Sequence, residues 1–187
     1  MPHAVPPLQT PRLILEPLAL ADAAQIQALF PDIEVVRFMG TAIPWPYPPD
    51  GALAFIRDIA LPAMVRGEQW HWTLRLRDQP DRIIGCLSLR ATHTEGNRGF
   101  WLAPAFRRRG LMSEAVEAAT AFWFDVLGFK TLRVHKAIEN VGSRRISERS
   151  GMHVVDTFAR DYVGGRFLSE AWEISAAEWR RRRSGRE

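Results

Sequence analysis

The stretch Phe106-Arg107-Arg108-Arg109-Gly110-Leu111-Met112-Ser113 places three guanidinium groups and a glycine directly before a helix-forming run, Ser113-Glu114-Ala115-Val116-Glu117-Ala118-Ala119. A basic turn that opens a helix is an anion site. The first N–H groups of the helix have no intrahelical partner, and the positive end of the helix dipole points over the turn. Arginine suits phosphate because its planar fork meets two oxygens at once. The expected ligand is a pyrophosphate, and Gly110 lets the backbone approach it closely. No Gly-Lys-Ser/Thr follows the glycine, which excludes a P-loop nucleotide hydrolase. A second polar pair, Asn140 and Ser143, stands at the predicted start of a later helix, where both residue types also act as caps.

The elements around these residues follow from periodicity. Phe100-Trp101-Leu102-Ala103 reads as a strand stopped by Pro104, and Leu111 to Leu127 as the helix after the turn, closed by Gly128. Lys130 to Ile138 is the next strand, with Leu132, Val134 and Lys136 alternating with Arg133, His135 and Ala137. Upstream, Arg12 to Leu18 is a strand. Asp22 and Asp50 introduce helices, the second with a kink expected at Pro62. Trp70, Trp72, Leu74 and Leu76 share one strand face, and Ile83 to Leu89 returns as a hairpin. Val154 to Tyr162 and Arg166 to Ile174 are the last two strands. The reading gives an arm at residues 1–9, one domain at 10–183 and a tail at 184–187.

The chain has 187 residues, 47% of them hydrophobic, and a net charge of +4. That suits a single α/β domain with a substantial core. All but two of the 25 basic residues are arginine, the lysines being Lys130 and Lys136. Part of the positive excess is the run Arg180 to Arg183, so nucleic-acid binding is the minority reading. No apolar run is long enough to span a bilayer, and the first residues carry no secretory pattern. With the single Cys86 this fits a reducing cytoplasm. The five histidines and one cysteine show no ligand spacing, so no metal is expected.

The order of elements resembles the GCN5-related N-acetyltransferase (GNAT) superfamily, in its ribosomal-protein N-acetyltransferase-like (RimJ/RimL-type) branch. Four pieces carry the resemblance over roughly Leu8 to Ile174: Thr10 to Leu18; Gly99-Phe100-Trp101-Leu102; Arg107 to Met112 with Glu114-Ala115; and Asn140 to Ser143 with Glu148-Arg149-Ser150-Gly151-Met152. The resemblance implies a mixed, mostly antiparallel sheet of six or seven strands with helices on both faces. Its fourth and fifth strands, here Arg98–Ala103 and Lys130–Ile138, should splay to admit acetyl-CoA as co-substrate. Trp101, Leu102 and Ala103 then border the pantetheine arm, with an N–H near Leu102 facing the thioester oxygen. Arg107, Arg108, Arg109, Gly110, Leu111, Met112 and Ser113 hold the pyrophosphate. Met112 departs from the family's glycine or alanine, and its side chain must point away from the phosphates. Asn140 meets the pantetheine amides, and Ser143 lies near the sulfur as the acid expected to protonate the leaving thiolate. The family's common base position falls on Asn97, which cannot act as one. The resemblance points instead to Asp161 as base, then Glu95, with a water relay as the remaining option. The acceptor is a primary amine, on a small molecule or a protein N-terminus, bound near Trp45, Tyr47, Trp70 and Trp72. The alternative is a catalytically degenerate acyl-CoA-binding module, and a homodimer stays open.

Overall fold

The computed structural model describes residues 5–92 and 96–185. Five antiparallel strands follow one another in chain order: β1 (Leu8–Gln9), β2 (Leu13–Pro17), β3 (Gln69–Leu76), β4 (Gln79–Arg90) and β5 (Arg98–Leu102). A second sheet holds β6 (Thr131–Ala137), β7 (His153–Tyr162) and β8 (Gly165–Ser175) in the order β6-β8-β7. Among the described residues, the expected single sheet of six or seven strands is eight strands in two sheets. One additional strand comes from the segment read as an arm. Leu8 and Gln9 pair with Leu15 and Ile14, and the Pro6 carbonyl accepts from the Trp72 indole at 2.7 Å.

Hydrogen bonds join the two sheets at Asn97. The Asn97 N–H donates to the Arg133 carbonyl at 2.7 Å, and the Arg133 N–H returns a bond to Asn97 Oδ1 at 2.8 Å. Asn97 Nδ2 donates to the carbonyls of Arg90 and Thr92 at 3.0 and 3.3 Å. Asn97 is 0% exposed and clamps the starts of β5 and β6. Beyond it the two strands belong to different sheets, so a gap opens between them. That is the expected splay.

Helices cover both faces. On one side α1 (Ala23–Leu29), α2 (Ile33–Val36), α3 (Gly51–Phe55) and α4 (Leu61–Val65) pack a core containing Ile26, Val36, Ile56, Ile83 and Trp101. The kink expected at Pro62 is a π-helical turn, Ile56–Ala60, that joins α3 to α4. A wider turn relieves the clash of the proline ring with the preceding turn. On the other side α5 (Leu111–Ala121), α6 (Val141–Arg149) and α7 (Ala176–Ser184) flank a larger core with Leu13, Trp72, Leu87, Val116, Trp123 and Trp179. Trp70, Trp72 and Leu74 do share one face, and that face is buried in this core.

Candidate active site

The basic turn is built by staples. Gly110, at φ 76°, forms the left-handed corner before α5. Glu114, in the first turn of α5, accepts from the Thr10 hydroxyl, from the Arg12 N–H at 2.8 Å and from Arg12 Nε at 2.8 Å. Arg12 Nη1 in turn donates to the Arg109 carbonyl at 2.8 Å. Burial pushes the Glu114 carboxyl up, but the Thr10 and Arg12 donors outweigh it and hold the carboxyl below its ordinary range. The start of β2 therefore pins the turn. The Glu-Ala pair of the sequence pattern acquires a physical role: its carboxylate ties the helix start to a neighbouring strand.

The three arginines divide their work. Arg107 Nε donates to the Leu102 carbonyl at 3.1 Å and Nη2 to the Glu34 carbonyl at 2.7 Å, so this side chain braces the turn against α2. Arg109 lies over the Phe106 ring at 5.7 Å. Arg108 takes a left-handed φ of 63°, unusual for a non-glycine residue. The N–H groups of Leu111, Met112 and Ser113 belong to the first helical turn and have no intrahelical acceptor. Met112 is 6% exposed and packs in the larger core beside Leu111, so its side chain leaves the space above the turn open.

From the turn, the gap between β5 and β6 leads back toward Asn97. The Ala103 N–H donates to the Ile84 carbonyl at 2.8 Å, on the β4 side. Backbone direction alternates along a strand, so the N–H groups of Leu102 and Phe100 point the other way, into the gap. Trp101 faces the opposite core from Leu102. At the head of α6, Asn140 Oδ1 accepts from the Ser143 N–H at 3.3 Å, a helix cap. Ser143 is buried.

Asp161 sits on β7, paired at 3.3 Å with Arg166, and its side chain is 60% exposed. Its neighbour Tyr162 points to the opposite face and bonds the Ser169 hydroxyl at 2.8 Å. The adjacent Glu170 holds Arg144 of α6 at 2.8 Å. Tyr162 and Ser169 therefore face away from α6, and Asp161 faces solvent on the α6 side. Glu95 lies outside the described residues. Trp70 and Trp72 are core residues ringed by Phe122, Trp123 and Phe129, so they do not wall an acceptor site. The β7–β8 hairpin docks on the segment after α2. There Gly40 bridges to Tyr162, the Val163 and Gly164 N–H groups donate to the Met39 and Arg37 carbonyls at 2.9 Å, and Phe38 meets Phe167 edge-on at 5.3 Å. A Cβ on Gly164 would lie 2.7 Å from the Arg37 carbonyl, so only glycine permits this docking.

Sequence reasoning missed Phe38, Phe167, Ser169 and two buried cations, Arg98 and Lys136. The last carried a signal: a lysine in phase with Leu132 and Val134 on a strand whose other members of that phase are core residues. The arginine run is largely engaged within the fold. Arg180 and Arg183 reach Asp125 at 3.3 and 3.4 Å, and Arg182 reaches Glu117 at 3.4 Å and the Arg149 carbonyl.

This arrangement of sheets and helices has counterparts among known proteins. A family model described as an acetyltransferase (GNAT) domain matches residues 12–153. An uncharacterized N-acetyltransferase, YoaA, from Bacillus subtilis is 29% identical over 149 residues, covering 78% of this chain and 82% of that protein. Two solved structures share the fold. Mycobacterium smegmatis RimJ in complex with CoA-disulfide has a TM-score of 0.77 at 17% identity, over 95% of this chain and 89% of that one. The ribosomal-protein-S5-alanine acetyltransferase from Vibrio fischeri has a TM-score of 0.78 at 12% identity, over 93% and 98%. With the matched model spanning more than half of the chain, the protein belongs to the GNAT acetyltransferase family and is an acyltransferase.

Proposed function

We propose that the protein transfers an acetyl group from acetyl-CoA directly to a primary amine, on a small molecule or a protein N-terminus. The observation that carries this reading is the continuity of the β5–β6 gap with the pinned turn at Gly110. The first N–H groups of α5, with Arg108 and Arg109, hold the pyrophosphate, and the pantetheine arm runs back between Leu102 and Asn140. A neutral amine attacks the thioester carbonyl from the side of the β7–β8 hairpin. Negative charge develops on the carbonyl oxygen against the inward N–H groups of Phe100 and Leu102, which are fixed before the reaction begins. The tetrahedral adduct then expels the CoA sulfur. The amine proton leaves through water rather than through Asp161, whose carboxylate is turned to solvent and paired with Arg166.

Thiol release from acetyl-CoA is the test, with a panel of polyamines, amino-acid amides and peptide N-termini and with mass detection of the acetylated product. Amine-dependent release supports the proposal. Tight CoA binding with no release for any amine would identify a degenerate acyl-CoA-binding module.

A further inference from the structure

Two buried cations flank the gap, and the steps above use neither. Lys136, on β6, is 7% exposed, and its Nζ lies 4.5 Å from the centroid of the Phe100 ring on β5. The contact spans the two splayed strands. Arg98, on β5, is 3% exposed; it donates to Thr120 Oγ1 at 3.1 Å and to Met152 Sδ at 3.6 Å, and its Nε has no hydrogen-bond partner among the described residues. Neither cation has an ion pair among the described residues. Lys136 shares its strand face with Glu170 of β8, but that carboxylate is occupied by Arg144 of α6 and by the Trp172 indole. Arg90 of β4 adds further positive field, and Glu117 of α5 offsets Arg98. A buried pair of like charges with no direct ion pair is costly to keep and makes the space beside it favourable to an anion.

The position identifies the anion. Asn97 and Arg133 close the gap, and Phe100 and Lys136 each lie three residues further along their strands, roughly 10 Å at strand rise. The pyrophosphate turn lies at the open end, past Leu102. An acyl donor anchored at the turn and pointing toward the closed end brings its thioester to the Phe100–Lys136 contact. The group that becomes negative there when the adduct collapses is the CoA sulfur.

We propose that the Lys136 ammonium is the acid that protonates the departing CoA sulfur. The inference rests on the acetyl-transfer reading. The carbon–sulfur bond of the adduct breaks and its electron pair stays on sulfur. One proton moves from Nζ to sulfur, giving the free thiol and a neutral lysine. The nitrogen that has gained the acetyl group releases its extra proton to water, and water reprotonates Lys136. The acidity is matched to the task. Burial first, then Arg98 and Arg90, lower the Lys136 pKa to about 7. A free thiol titrates near 8.5, so the transfer runs downhill by roughly 1.5 units, about 30-fold. A serine hydroxyl such as that of Ser143 is a far weaker acid and serves here to position the sulfur.

The experiment compares wild type, Lys136→Met and Lys136→Arg in thiol release at saturating substrates from pH 5.5 to 9, with Lys130→Met as the control. At each pH the acceptor's own ionisation cancels in the wild-type to variant ratio. The expected ratio for Lys136→Met is at least about 100 at pH 6 and declines as the pH rises past 7, with CoA affinity nearly unchanged. Lys136→Arg keeps the charge, holds its proton too tightly to give it up, and is expected not to restore the rate. Lys130→Met should match wild type. A ratio near one, a ratio independent of pH, or full activity in Lys136→Arg would overturn the assignment. Lysine-selective NMR of wild type gives a reading independent of folding in the variants, because the chain has only two lysines. The Lys136 signal should titrate near pH 7 and shift on addition of CoA; a signal indifferent to saturating CoA overturns the proposal. Absence of amine-dependent thiol release in wild type would refute the transfer reading itself, a result distinct from a failure of Lys136 alone.

Discussion

Removing the Asn97 side chain tests whether the gap depends on its clamp. Asn97→Ala leaves the Arg133 N–H without its acceptor, 2.8 Å away, and deletes the two amide bonds to Arg90 and Thr92. An orphaned buried N–H costs about 1–3 kcal/mol and each of the two further bonds about 0.5–1.5, so the total is about 4 kcal/mol. For a chain of this size that lowers Tm by about 8–16 °C. The turn at Gly110 keeps its own staples to Arg12 and Glu114, so the loss of CoA affinity should come from the pantetheine end. Differential scanning fluorimetry with and without CoA reads both effects. Asn97→Asp sharpens the test, because a buried carboxylate would face the Arg90 and Thr92 carbonyls. Its folded pKa must rise above the unfolded value, so its stability deficit grows as pH increases through the carboxylate range. A Tm within about 2 °C of wild type for Asn97→Ala, with unchanged CoA affinity, would refute the reasoning.

Three further outcomes are expected. Glu114→Gln should raise the KM for acetyl-CoA by freeing Arg12 and the Arg109 carbonyl, and it should flatten the acid limb of stability. The folded pKa of Glu114 is lowered, so its contribution is present above the unfolded pKa and lost as pH falls through the folded value. Denaturant melts between pH 3 and 7 check this. Asp161→Asn is expected to keep kcat within about twofold and leave the pH–rate profile in place; a loss concentrated at low pH would restore Asp161 as the base. Lys136→Met should be more stable than wild type near pH 7. The unfolded lysine stays protonated up to its ordinary 10.5 while the folded one titrates at about 7, so wild-type stability rises with pH between those values. Thermal melts of the two proteins from pH 6 to 10 should converge at the alkaline end.

Much of the donor side was legible in the sequence because its signals are local. A glycine corner before a helix, a cap at Asn140 and a strand ending at Pro104 are each written within a few residues. The side chain of Met112 could be placed by exclusion, and it is buried. The docking of the β7–β8 hairpin was not legible, because it is assembled from distant pieces. Phe38 meets Phe167, and Gly164 meets Arg37, only after the hairpin docks. Strand alternation placed Trp70 and Trp72 on one face but did not say which face carries the core. The pairing of Leu8–Gln9 was hidden because a two-residue strand is too short to show a period.

The most direct measurement is a crystal structure of the protein with CoA. The pyrophosphate is expected on the N–H groups at the start of α5, the pantetheine between β5 and β6, and the sulfur beside Phe100 and Lys136. CoA bound outside that gap, or a sulfur on the far side of β5 from Lys136, would contradict this placement.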